Sequence, residues 1–152
     1  MTIKAIETEY KGYKFRSRLE ARWAVFFDAM NWMWEYETEG FKMEYKGEII
    51  HYLPDFWLPG MQIFVEVKGP ALNAADRLKI EALAYTSDKA VYVLRGIPDA
   101  AEPGMFEICV CDPEKDDAVI WLDYEPHPKQ IEYLNAALAK ARRSRFEHGE
   151  KG

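Results

Sequence analysis

Two cysteines among 152 residues are too few for a disulfide framework. They are Cys109 and Cys111, and on a strand this spacing points both side chains the same way, poorly placed to bond each other. No apolar run reaches the ~18 residues that a membrane-spanning helix needs, and the opening MTIKAIETEY has no apolar block of the secretory type. These absences predict a soluble, cytoplasmic protein that uses no membrane. Repeats, low-complexity tracts and Pro/Ser-rich linkers are also missing, so a single domain is expected over residues 1–147, with a frayed tail at 148–152. Positive charge is in deficit: 20 Lys and Arg stand against 26 Asp and Glu, a net charge of −6. Whole-molecule charge therefore gives no argument for nucleic-acid binding.

What is present argues for a packed core. Residues are 49% hydrophobic and 14% aromatic, which excludes a disordered chain. Charge is also unevenly placed. Residues 10–22, YKGYKFRSRLEAR, hold Lys11, Lys14, Arg16, Arg18 and Arg22 against Glu20 alone, and KARRSR at 140–145 holds four cations and no acid. Much of the acidic balance sits in residues 112–125, with six acids and one Lys. Each basic run has an ordinary explanation, the first as a solvated face and the second as a helix C-terminus favoured by the helix dipole.

Ser17-Arg18-Leu19-Glu20 is a capping box, and Leu19, Trp23, Phe26, Phe27 and Met30 recur at helical spacing, predicting a helix over about 17–32. WEYE (34–37), FKMEY (41–45), IIHYLPDFWL (49–58) and QIFVEVK (62–68) read as strands of a meander separated by EG, KGE and PG turn signals. A helix over about 72–87, strands in VYVLRG, MFEICVC and VIWLDY, and a last helix over about 128–146 complete the pattern. This order predicts an α/β chain with helices packed on a mixed sheet.

The chemistry concentrates in the third and fourth of these strands. Pro59-Gly60 suits a type II turn between Leu58 and Met61. If those two residues pair, Asp55 lies opposite Phe64 and diagonal to Glu66, on one face. Alternation puts Phe64, Glu66 and Lys68 on that face and Ile63, Val65 and Val67 on the other. Charges on so apolar a hairpin need a partner or a metal. Two carboxylates suit Mg²⁺, with Mn²⁺ as a substitute, and no thiol–imidazole cluster of the kind zinc favours is present. A hard cation there, with a lysine beside it, is equipped for phosphodiester hydrolysis.

Pro54-Asp55, followed ten residues later by Glu66-Val67-Lys68, resembles the PD-(D/E)XK nuclease superfamily. SRLEARWA (17–24), YLPDFWLP and VEVKG extend the resemblance toward small phage-encoded nucleases, over about residues 12–95. It implies a restriction-endonuclease-like mixed β-sheet flanked by α-helices, an αβββαβ core to which this chain adds C-terminal strands and a helix. It further implies metal ligation by Glu20, Asp55, Glu66 and the Val67 carbonyl, with Lys68 as the catalytic lysine. Family members often carry a Gln and a Tyr one turn apart on the following helix; here Glu81 and Tyr85 have that spacing, with Glu in place of Gln.

Together these readings predict a Mg²⁺-dependent DNA endonuclease whose Lys11, Lys14, Arg16, Arg18 and Arg22 grip backbone phosphate. No base-reading element is evident, so specificity would come from DNA structure, a partner protein or a homodimer mate. Three other functions remain open: a non-catalytic nucleic-acid-binding module of the same fold, another carboxylate-pair enzyme such as a glycosidase, and a structural protein. Cys109, Cys111 and His127 are too irregularly spaced for a zinc site, and the two cysteines read as packing in the sheet; His51 reads as a strand residue outside the site, and Trp23, Trp32, Trp34 and Trp57 as core.

Overall fold

The computed structural model describes residues 7–69, 72–99, 106–116 and 118–144. In chain order its elements are β1 (Thr8–Tyr10), β2 (Tyr13–Phe15), α1 (Arg18–Ala29), β3 (Glu35–Tyr36), β4 (Phe41–Tyr45), β5 (Glu48–Tyr52), β6 (Phe56–Leu58), β7 (Ile63–Lys68), α2 (Ala74–Ser87), β8 (Val91–Arg95), β9 (Phe106–Cys111), β10 (Val119–Asp123) and α3 (Ile131–Arg143). They belong to two compact units: the described parts of Met1–Trp32, Ile97–Pro103 and Pro126–Gly152 form one, and those of Met33–Gly96 and Gly104–Glu125 the other.

In the first unit, β1 and β2 form a hairpin closed by Lys11 (φ +50) and Gly12 (φ +82). Two central residues with positive φ are what a type I′ turn requires, and glycine is the natural occupant. The sequence reading saw only charge in this stretch. Helix α1 starts at its cap: the Ser17 hydroxyl accepts the Glu20 N–H at 3.2 Å and donates to the Glu20 carboxylate at 2.9 Å. It stops short of the expected residue 32 because Asn31 turns left-handed (φ +61). The Trp32 N–H then bonds the Phe27 carbonyl at 2.9 Å, folding Trp32 back over Phe26 and Phe27. A 3₁₀ turn, Pro128–Gln130, leads into α3, whose Leu134, Ala137, Leu138 and Ala141 form a buried stripe at helical spacing. Helices α1 and α3 pack on each other. The predicted end of that last helix, residues 145 and 146, and the tail 148–152 lie outside the described residues.

The second unit holds a six-stranded mixed sheet in the order β10-β9-β8-β7-β6-β3. Only β7 and β8 run parallel, joined through α2; the other pairs are antiparallel. The chain is thus mixed α/β, as its sequence order predicts. Two details differ. The run 49–58 is two strands, because Leu53-Pro54-Asp55 interrupts it and Pro54 has no N–H to give a ladder. The meander is also broken: β4 and β5 pair only with each other, and β3 pairs directly with β6.

Ile80, Leu83 and Ala84 of α2 bury themselves with Met43, Tyr45, Ile50 and Tyr52 of the β4–β5 hairpin and with Phe64, Val91, Val93 and Cys109 of the sheet. Each large side chain so covered contributes on the order of 1.5–3 kcal/mol. This apolar cluster fixes the β4–β5 hairpin and α2 against the Glu66 side of β7.

Candidate functional site

The β6–β7 connection decides which side chains meet. Met61 N–H bonds the Leu58 carbonyl at 3.2 Å, so the turn over Pro59-Gly60 forms as expected. The hairpin does not close there, however: Gln62 also bonds Leu58, at 2.8 Å with φ +57, and Leu58 pairs with Ile63 instead of Met61. The register is displaced by two residues. A shift of two keeps every side chain on its face. Trp57 lies opposite Phe64 and Phe56 opposite Val65, and continuing that register one residue beyond β6 puts Asp55 level with Glu66 rather than diagonal to it.

Asp55 and Glu66 are 5% and 6% exposed. One Asp55 carboxylate oxygen accepts the Val67 N–H at 2.7 Å, so the backbone of β7 orients that side chain. Glu66 accepts a short hydrogen bond from the Tyr52 hydroxyl on one oxygen and lies 3.5 Å from the Lys68 ammonium on the other. Burial lifts the Glu66 carboxyl above the ordinary carboxylate range, although Tyr52, Lys68 and a hydrogen bond with Asp55 all pull it down. Burial would lower Lys68, but attraction to Glu66 and Asp76 outweighs it and keeps the ammonium charged. Tyr52 is pushed well up by burial and by the Glu66 charge, so it remains a hydrogen-bond donor.

Three residues here escaped the sequence reading. Asp76, in the first turn of α2, pairs with Lys68 at 3.1 Å, and Asn73 caps that turn at 2.8 Å, fixing where Asp76 stands. Tyr52 was hidden by reading 49–58 as one strand. Glu37 follows the two-residue strand β3 in a left-handed conformation (φ +46), which is costly for a residue with a side chain. Its N–H bonds the Asp55 carbonyl at 2.9 Å, and its carboxylate comes within 4.8 Å of the Asp55 carboxylate.

The remaining candidates fall as follows. Glu20 sits in the first turn of α1, 7% exposed, bound to Ser17. In that same unit Lys11 pairs with Asp28 at 2.9 Å, Arg22 donates to the Ser144 carbonyl at 3.3 Å, and Lys14 and Arg16 are exposed. Arg18 opens α1 and is half-buried. Val67 is buried, its N–H taken by Asp55. Glu81 of α2 carries its charge beside Tyr45 and Cys109, and the Tyr85 ring lies 5.5 Å from that of Tyr45. Cys109 is a buried free thiol whose pKa burial pushes up to about 12. Trp23 is fully buried and Trp34 packs on Phe56.

No protein-family model, curated protein or solved structure matches this chain.

Proposed function

We propose that the protein is a divalent-metal-dependent nuclease that hydrolyses phosphodiester bonds in DNA, built on a restriction-endonuclease-like αβββαβ core. The observation that supports this reading is the buried Asp55–Glu66 pair at the β6–β7 hairpin, with the Lys68 ammonium shared between Glu66 and Asp76. The donor set fits a hard cation. All candidate ligands are oxygens, and the burial that lifts Glu66 is the penalty a bound cation would relieve.

Asp55 and Glu66 would hold Mg²⁺ or Mn²⁺, Glu37 stands next to Asp55, and the family resemblance adds the Val67 carbonyl and Glu20. Bound there, the ion would polarise the phosphodiester and lower the pKa of a coordinated water. The Val67 N–H and the Tyr52 hydroxyl each hold one carboxylate in a fixed orientation, so the ligands are positioned before any ion arrives. Lys68, kept protonated by its two acids, presents positive charge to an oxyanion developing on phosphorus. The exposed cations of residues 11–22 would contact phosphates without reading sequence.

The test is purified protein with Mg²⁺ or Mn²⁺ against linear, nicked, single-stranded and four-way-junction DNA, with Lys68→Ala as control. The expected result is metal-dependent products that EDTA and the Lys68 substitution abolish. Salt-sensitive binding with no products under either metal would contradict it and identify a binding module instead.

A further inference from the structure

Beside the acidic face, in the same unit, lies a cleft of about 300 Å³ whose walls include Phe41, Pro54, Trp57 and Phe64, with Glu39 and Lys89 at its rim. Trp57, in β6, is two residues past Asp55, which precedes that strand; Phe64 and Glu66 alternate on β7, and Trp57 pairs with Phe64, so the aromatic floor adjoins the face that bears Glu66. Two strand residues span about 6.6 Å, so the cleft is an immediate neighbour of the acids. Phe41 meets Phe64 edge to face at 5.4 Å, and Trp57 lies 4.5 Å from Phe64. Phe41 and Trp57 are half-buried, leaving ring surface open to the cleft.

We propose that this cleft receives one unpaired nucleobase of the substrate strand, which makes single-stranded or locally opened DNA the substrate class. The proposal rests on the nuclease reading and deepens it. Flat aromatic walls suit a planar heterocycle, because any base can stack on them. The rim carries both signs, as a nucleotide would require. Glu39 is an acceptor for an exocyclic amine. Lys89, held 3.0 Å from the Gln62 side-chain oxygen, is a cation within a side chain's reach of a flanking phosphate. An apolar peptide side chain would make no use of that acid and that base. A base inside an intact duplex is stacked on both sides and cannot enter, whereas an unpaired one can.

The experiment compares a short single-stranded oligonucleotide with copies carrying one abasic residue at successive positions. Affinity is read with Ca²⁺ in place of Mg²⁺, and cleavage with Mg²⁺. One variant of the protein, Thr38→Trp, fills the cleft from its exposed rim without removing a core side chain. Loss of one particular base should weaken binding about tenfold, the scale of one base–aromatic stack. Thr38→Trp should erase that difference, so that the intact and abasic oligonucleotides bind alike. Equal binding and cleavage of all the oligonucleotides by the wild-type protein would overturn the cleft while the nuclease reading stood. A base-dependent affinity that Thr38→Trp removes, with no cleavage of any DNA, would support the cleft and overturn the nuclease reading. Absence of binding to any oligonucleotide would overturn both.

Discussion

Two arrangements of acid and base in this molecule differ in a way that separates stability from chemistry. At the surface, Asp28 has Lys11 and Tyr10, and Asp99 has Arg142 at 3.0 Å: each carboxylate has its own cation, and the cations are more than half exposed. Around β7 the ratio is reversed. Lys68 is divided between Glu66 and Asp76, Glu66 is buried, and its carboxyl is raised despite three groups pulling it down. A fold seeking only stability would not gather such groups, since buried charge is costly and ion pairs of this kind often do no better than apolar packing. The surface pairs need nothing further; on the proposed reading, the hairpin is where a cation would bind.

The largest expected effect comes from removing a hairpin ligand. Asp55→Ala should reduce cleavage by at least about a thousandfold, measured as kcat/KM on the preferred DNA. A residual rate close to wild type would dissolve the contrast between the two arrangements. Tyr52→Phe keeps the ring and removes only the donor to Glu66. It should weaken Mn²⁺ affinity by about 10- to 100-fold, as the loss of a ligand's supporting hydrogen bond usually does, with isothermal titration as the readout.

Much of this contrast was legible before any coordinates. Glu66 and Lys68 share a face by alternation, Asp55 was expected to join them through the turn register, and the true register, displaced by two residues from the expected one, preserves that parity. A displacement of one would have destroyed it. What the sequence concealed was the support. Tyr52 stood in an apparently continuous strand that Pro54 breaks, and Asp76 is an acid in a helix's first turn, where the helix dipole alone accounts for it. Glu37 owes its place to a left-handed turn that no local pattern announces. The hairpin at Lys11-Gly12 was missed because its strands are three residues each, too short for periodicity, although Lys46-Gly47 makes the same positive-φ turn between β4 and β5. The helix caps at Ser17 and Asn73 differ in this respect, since a cap is a local hydrogen bond and the first was readable from four residues.

Smaller effects sharpen the comparison through stability. Glu66→Gln still accepts from Tyr52 but carries no buried charge, so without metal it should stabilise the fold by about 1–2 kcal/mol. For a chain of this size that is a gain of roughly 2–4 °C in Tm per kcal/mol, while the gain expected of wild type on adding Mn²⁺ should vanish. The pH dependence follows from the same group. Its folded pKa lies above its unfolded one, so the folded state holds the proton longer, and its contribution to stability is full below the ordinary glutamate range and lost as pH rises through the folded value. Metal-free wild type should therefore lose stability across that window relative to Glu66→Gln, as denaturant titrations at several pH values would show. The smallest effect belongs to the surface. Lys11→Ala should change stability by no more than about 0.5 kcal/mol, because the Lys11 ammonium is more than half exposed and solvent-screened, while lowering the salt slope of DNA binding by about one.

The centre itself is tested most directly by titrating Mn²⁺ into the protein and into its Asp55→Asn/Glu66→Gln double variant, with bound ion followed by electron paramagnetic resonance. The account predicts saturable binding by wild type that the double variant loses while remaining folded. Equal binding by both proteins, or none by wild type, would contradict it.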